Sequence, residues 1–348
     1  MTTEVLKNVW YGCALSSDLP LGKMKSLVLA GEPVVLARQT NGQVFALRNI
    51  CPHRGIPFSF GRVVKDQIEC PYHGWKFNSQ GICTEIPSLC SDQNLDCSKI
   101  KVKNYPIKES HGIIWIYLFD KEKPMSEDLA PQPPELPNFE NSAKPQIITQ
   151  AVFPCHIDHA VIGLMDPAHG PYVHKSWFWR SERSSYEKRK NFAPVNFGFQ
   201  MVRHQPSKNS KAYKILGGQP TTEITFQIPG CRVEHIQVGQ GNVISLTVLS
   251  PISDKETQVY SVLYWDRPWL NVVKPLIRAF ANRFLFQDYE AVKNQQEGLK
   301  YDPSLMLIKD ADTQAKWYYQ LKTEWLQHAS QNREFKNPIM PTQLSWRS

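Results

Sequence analysis

Apolar residues recur in two different rhythms along this chain, and the rhythm changes near the middle. From Ser26 to Asn49 the pattern reads strand, turn, strand. Val34-Val35-Leu36 and Val44-Phe45-Ala46-Leu47 flank Asn41-Gly42, a pair that tolerates positive φ and predicts a two-residue hairpin turn. Trp75-Lys76-Phe77 runs into a polar turn, Asn78-Ser79-Gln80-Gly81, and Ile113 to Phe119 reads as a further strand. Short strands bounded by turn residues predict a small antiparallel β domain. Between Lys121 and Gln146 prolines stand at 124, 131, 133, 134, 137 and 145, and their fixed φ predicts an extended linker or wrapping segment. The expected division is a first domain at residues 1–120, the Pro-rich segment at 121–146 and a second domain at 147–348.

Beyond the prolines both periods occur. Val152 to His174 reads as helix with one interruption. Alternation over Glu223–Gln227, Val233–Val238, Val243–Val248 and Val259–Tyr264 predicts an antiparallel sheet with one face buried. Val272 to Lys300 places Val273, Ile277, Phe280 and Phe284 at helical spacing, and a last helix is expected over Thr313–Ala329. Helices at the two ends of a sheet make the second domain α+β and helix-grip-like, so the whole chain reads as α+β. No internal repeat is visible.

Composition narrows the class without naming a chemistry. The 348 residues are enough for two cores, and 40 Lys plus Arg against 32 Asp plus Glu give a net charge of +8. That charge reads as a mildly basic surface, open to an acidic redox partner or an anionic substrate. No basic run is interleaved with aromatics as a single-stranded nucleic-acid groove requires. No stretch is apolar enough to span a bilayer. The best, Trp269 to Phe286, is cut by Lys274, Arg278 and Arg283. Met1 to Leu15 is broken by Glu4, Lys7 and Asn8 and carries no secretory pattern, and the cysteines show no pairing pattern. The expectation is a soluble cytoplasmic protein.

The chemistry concentrates between Cys51 and Trp75. Cys51-Pro52-His53-Arg54-Gly55 and Cys70-Pro71-Tyr72-His73-Gly74-Trp75 each offer one thiolate and one imidazole. Two sulfurs and two nitrogens can close a tetrahedral zinc site. They can also hold a [2Fe-2S] cluster in which two histidines replace two cysteines on one iron, the Rieske arrangement. The prolines after each cysteine and the glycines after each histidine favour iron, as two similar loops gripping one cluster. The half-motifs match the Rieske pattern position for position.

A Rieske cluster moves one electron at a time, so a receiving site is expected. Asp166-Pro167-Ala168-His169-Gly170-Pro171-Tyr172-Val173-His174 holds two histidines five apart; with a later carboxylate they can form a two-His-one-carboxylate face on Fe(II), open to dioxygen. Taken alone, the spacing is a weak signal, and histidines that only satisfy hydrogen bonds or stabilise a helix end are its default reading.

Together these motifs resemble those of the Rieske non-haem iron oxygenases, the α subunits of ring-hydroxylating oxygenases and related demethylases. The likeness covers both halves of the chain and the order of the motifs. It implies a cluster on Cys51, His53, Cys70 and His73, and a mononuclear iron on His169 and His174. The third iron ligand it implies is a carboxylate on a C-terminal helix: Asp288 in Phe284-Leu285-Phe286-Gln287-Asp288-Tyr289-Glu290, with Glu290 as the competitor. It further implies that Asp166 bridges His73 of an adjacent subunit to His169, within a ring that is commonly a homotrimer. Electrons would come from a reductase, with or without a ferredoxin, since no G-x-G-x-x-G turn offers this chain a nicotinamide or flavin of its own. The implied reaction is hydroxylation or oxidative demethylation of a hydrophobic or aromatic substrate.

The chain departs from ring dioxygenases at two places. Cys155-His156-Ile157 stands where Asn-Trp-Lys is usual, and Val161-Ile162-Gly163-Leu164-Met165 brings no asparagine ahead of Asp166. His156 and His159 read as packing or supporting histidines, and Cys155 has no base at motif spacing. Trp177-Phe178-Trp179 fits either a core or a pocket wall. Two other classes stay open on sequence: a pure electron carrier, and a zinc-stapled binding protein.

Overall fold

The computed structural model describes residues 4–174, 182–207, 218–331 and 333–348. The aromatic run Trp177-Phe178-Trp179 lies outside the described residues. In the first half, strands Val9–Leu15, Ile113–Leu118 and Ile107–Ser110 form one antiparallel sheet. Met24–Leu29, Glu32–Arg38, Val44–Arg48 and Asn104–Tyr105 form a second, and Arg62–Val64, Gln67–Glu69, Lys76–Phe77 and Cys83–Glu85 a third. The last two share a core of Val35, Leu47, Phe58, Ile68 and Phe77, which also buries Cys51 and Cys70.

The Asn41-Gly42 hairpin is longer than expected. Arg38 pairs with Val44, leaving a five-residue connection closed by the Gln39 N–H donating to the Gln43 carbonyl at 2.8 Å. Only Gly42 of the five takes a positive φ, +91°. Asn41 instead accepts the Gln43 N–H on its side-chain Oδ1 at 2.9 Å, so a local side-chain bond replaced the tight backbone turn.

The second half is built on one eight-stranded antiparallel sheet. Its order is Ile147–Phe153, Glu256–Trp265, Gly241–Ser253, Cys231–Val238, Thr221–Gln227, Gly198–His204, Glu187–Val195 and Thr342–Arg347. The four alternating stretches read from the sequence are the middle of this sheet. Two features differ from expectation. Val152 and Phe153 end a strand that pairs with Glu256–Trp265, and helix α1 begins only at Ile157 (Ile157–Met165), capped by His156. The strands Glu187–Val195, Gly198–His204 and Thr342–Arg347 were not anticipated. Lysine and arginine mask the alternation of the first, yet it buries Lys188 and Phe192.

Among the described residues three more α-helices follow: α2 (Gly170–Val173), α3 (Lys274–Leu299) and α4 (Thr313–Gln331). Asp158, near the start of α1, is buried and accepts Lys322 Nζ at 2.7 and 2.8 Å and Tyr318 OH at 2.5 Å, both from α4. Two buried charges hold only because each meets its partner with several hydrogen bonds. That pair fixes α1 against α4.

Strand alternation gives the large sheet two roles. Ile244, Leu246 and Val248 pack with Trp10, Ile113 and Trp115 of the first half, together with Ala130 and Leu136 of the Pro-rich stretch. Val243, Ser245, Thr247 and Leu249, the intervening residues, line a cavity on the opposite face. The first contact is close enough to demand glycine. A Cβ on Gly12 would stand 2.7 Å from Val248 Cγ1. Ser250 Oγ donates to the Gly12 carbonyl and Tyr260 OH to the Cys13 carbonyl at 2.6 and 2.9 Å, pinning the two sheets together.

Candidate metal centres

The first constellation is two copies of one turn. Cys51 N–H donates to the Ile56 carbonyl at 2.9 Å, and Cys70 N–H to the Trp75 carbonyl at 2.8 Å. Four residues after each cysteine a glycine returns its N–H to the cysteine carbonyl, Gly55 at 2.9 Å and Gly74 at 3.1 Å. Both glycines sit at positive φ, +75° and +72°, where L side chains are strained. Equal turns, not equal spacing, align the donors. His53 is two residues from its cysteine and His73 three, yet their rings meet with centroids 4.5 Å apart. Trp75 stacks flat on His53 at 4.6 Å and fixes its plane.

Those donors fit a cation. Among the described residues His73 Nδ1 is buried with no hydrogen-bond partner, a cost a protein keeps only where something else meets the lone pair. Burial, aided by the neighbouring Cys70 thiol, pushes the Cys51 thiol up to about 11 against the backbone N–H groups of His53 and Arg54. A thiol held as Cys51 is loses its proton readily only to a metal that takes up the sulfur charge.

The second constellation joins the chain across more than a hundred residues. His169 and His174 bracket α2, and their Nε2 atoms face each other at 3.0 Å. Asp288 reaches them from α3, with Oδ1 3.1 Å from His174 Nε2 and 3.7 Å from His169 Nε2. One donor atom from each of the three lies within 4.8 Å of the others, room for a single ion. Glu290 is elsewhere, 3.8 Å from Lys293 Nζ. Two imidazole nitrogens and one carboxylate oxygen suit Fe(II) and leave coordination positions open.

The surroundings orient these donors. His174 Nδ1 lies 3.2 Å from Gln287 Oε1, which can only accept, so the proton resides on Nδ1 and the Nε2 lone pair points inward. Phe284 stacks on the same imidazole at 3.4 Å. Gln287 and Phe284 flank the carboxylate in sequence but carry no motif of their own; their role shows only once α3 lies against α2. Asp166 Oδ2 stands 3.7 Å from His169 Nδ1, while its Oδ1 accepts the Ala168 N–H at 2.7 Å. Burial opposes charge on His169, but Asp166 and Asp288 outweigh it and hold the imidazole's pKa above its usual value. His156 caps α1, with Nδ1 accepting the Asp158 N–H at 3.2 Å, and so is neither a donor to the site nor exposed. His159 faces the cavity. Cys155 is buried and pushed up to about 12, an inert thiol.

The three convergent side chains open on a cavity of about 910 Å³ between α1, α3 and the sheet. Its walls are mostly apolar, Ile277, Phe280 and Leu249 among them.

Residues 9–106 match the Rieske [2Fe-2S] domain family. Beyond that segment the likeness continues into both halves. Chlorophyllide a oxygenase of Chlamydomonas reinhardtii is 36% identical over 179 residues, 51% of this chain and 26% of that one. The oxygenase subunit of 5,5'-dehydrodivanillate O-demethylase from Sphingobium sp. is 29% identical over 209 residues, 56% of this chain and 46% of that one. The crystal structure of dicamba monooxygenase bound to dicamba superposes with a TM-score of 0.72 at 21% identity, covering 95% of this chain and 99% of that one. The chain carries a Rieske [2Fe-2S] domain. That domain stands in front of the antiparallel sheet described above, in a fold shared with dicamba monooxygenase. The chain spans about a quarter to just over half the length of the curated relatives it matches.

Proposed function

We propose that the chain is the terminal component of an oxygenase that hydroxylates, or demethylates through hydroxylation, a hydrophobic or aromatic substrate. One observation carries this reading: two imidazoles and a carboxylate converge at the wall of a large apolar cavity, in the same chain as a Rieske domain. A carrier of electrons needs neither the second donor set nor the cavity. On this reading residues 1–120 form the electron-entry domain, 121–146 the wrapping segment and 147–348 the catalytic domain.

Cys51, His53, Cys70 and His73 hold the [2Fe-2S] cluster, and His169, His174 and Asp288 hold a mononuclear Fe(II). When bound, these metals supply single-electron delivery and dioxygen activation. The chain's own residues do the rest. Gln287 keeps the His174 proton on Nδ1, Phe284 fixes the ring plane, and the apolar walls exclude water around the substrate. Asp166 faces His169 Nδ1 and carries the connection to His73 of a neighbouring subunit in a ring, a homotrimer by family resemblance. A separate reductase, alone or through a ferredoxin, supplies the electrons. All eight cysteines are unpaired, which supports a reducing, cytoplasm-like compartment. Among the described residues no helix is long and apolar enough to cross a membrane.

Metal analysis tests the reading first. Reconstituted protein should hold about three irons per chain, two in the cluster and one mononuclear. Supplied with a surrogate reductase, it should then consume oxygen in a substrate-dependent way. Protein saturated at two irons per chain would refute the mononuclear site and, with it, the oxygenase assignment.

A further inference from the structure

The floor of the cavity carries a line of polar side chains that the metal site does not use. Arg232, Thr247 and Ser261 sit directly opposite one another on three adjacent strands, and all three line the cavity. Glu234 and Ser245 form the neighbouring cross-strand pair on the same face. Partners directly opposite in an antiparallel sheet stand about 5 Å apart, so the row offers polar contacts over roughly 10 Å.

Arg232 Nη2 donates to Glu234 Oε2 at 3.1 Å, with side chains only 20% and 13% exposed. Thr222 Oγ1 donates to the other Glu234 oxygen at 3.3 Å. An ion pair against apolar walls is costly to maintain, and hydrophobic residues of similar volume would serve packing as well. Among the described residues the remaining guanidinium N–H groups of Arg232 have no protein partner, and neither do the hydroxyls of Ser245, Thr247 and Ser261. None of these atoms is sealed from the cavity. Apolar pockets fix ligand orientation with a few convergent polar groups, and a guanidinium fork matches a carboxylate.

The local charge points the same way. The ionisable groups that the sheet presents to the cavity are Lys188, Lys190, Arg232, Glu234 and His204. Burial lowers the His204 pKa, so on the sheet's own wall three basic side chains stand with one acid, while Asp166, Asp288 and Asp312 line the cavity from outside the sheet. Lys188 bonds Ser348 Oγ at 2.8 Å and Lys190 the Gln205 carbonyl at 3.0 Å. Arg232 keeps for the cavity the N–H groups that it does not give to Glu234.

We propose that the molecule this cavity accepts carries a carboxylate, bound by Arg232 and steadied by the Thr247 and Ser261 hydroxyls, with its apolar body against Ile277, Phe280 and Phe284 of α3. The inference rests on the reading of the cavity as the substrate pocket. It makes Arg232 a specificity determinant.

The test is equilibrium binding of 1-pyrenebutyrate and of its methyl ester to the metal-loaded full chain, followed by fluorescence anisotropy. Wild type should bind the acid ~10-fold or more tighter than the ester, the scale of a charge-assisted hydrogen bond. Arg232→Gln should abolish that preference while leaving ester affinity unchanged. Because this variant removes the Arg232 guanidinium from Glu234, Arg232→Gln/Glu234→Gln is measured beside it and should behave alike. Equal affinities in wild type, no binding of either probe, or an acid preference that survives in the folded double variant would overturn the proposal. Turnover does not enter this readout. A protein that prefers the acid but consumes no oxygen would refute the oxygenase reading alone.

Discussion

The two donor sets of this chain are assembled by opposite means. Cys51, His53, Cys70 and His73 occupy a short stretch of sequence, and each half closes its own turn with two backbone hydrogen bonds and a left-handed glycine. His169, His174 and Asp288 depend on a 26-residue helix, α3, laid against the end of α1 and against α2. The first geometry is local and survives on short-range bonds. The second exists only while distant elements stay packed. Damage to packing should therefore reach the mononuclear site before the cluster.

The largest effects should come from removing donors, and they should be reciprocal. Cys70→Ser is expected to lose the visible absorption of the cluster and about two irons per chain while keeping the mononuclear site. Asp288→Ala should keep the cluster spectrum and lose about one iron per chain, with oxygen uptake abolished. Glu290→Ala should lose neither. Loss of iron in Glu290→Ala with retention in Asp288→Ala would reverse the ligand assignment.

Asp166→Asn sharpens the comparison, because Asp166 belongs to neither donor set. Both metals should remain bound, whereas reoxidation of the reduced cluster in the presence of substrate should slow by roughly 100-fold, the upper range for groups that support a metal ligand. Loss of mononuclear iron in this variant would make Asp166 a ligand instead of a link.

Lys322→Met tests the dependence on packing. It leaves Asp158 buried without its ammonium partner, and should cost about 3–5 kcal/mol in denaturant unfolding. Mononuclear iron should become labile to mild chelation while the cluster spectrum holds. Equal loss of both metals would contradict the local-versus-distant distinction.

The smallest effect separates the two loops themselves. An alanine at Gly55 meets only the strain of φ +75°, about 1 kcal/mol, with open space around its Cβ. At Gly74 the same strain adds to a Cβ placed 3.1 Å from Pro87 Cγ, so Gly74→Ala should lower the melting temperature more.

How much of this was readable beforehand follows the same division. The Rieske domain was legible from C-x-H and C-x-x-H, because these need only a turn each to bring their side chains together. The middle strands of the large sheet were legible by alternation. Glu187–Val195 was not: Lys188 and Lys190 turn toward the cavity, and buried lysine stems imitate an exposed stretch in any hydrophobicity pattern. Val152-Phe153 was misread as helix because an apolar pair beside a helix start carries no period of its own.

By itself, then, the sequence determined the donor types, the order of the motifs and the α+β pattern, since these are carried by residue identity and short-range spacing. Tertiary structure alone decided that Asp288 and not Glu290 faces His174. Two residues apart on one helix, they point about 200° around its axis from each other, and only the packing of α3 selects the face. It also decided that Arg232, Thr247 and Ser261 form one row. Register between strands far apart in the chain is set by burial of one sheet face and stays invisible until that face has a partner.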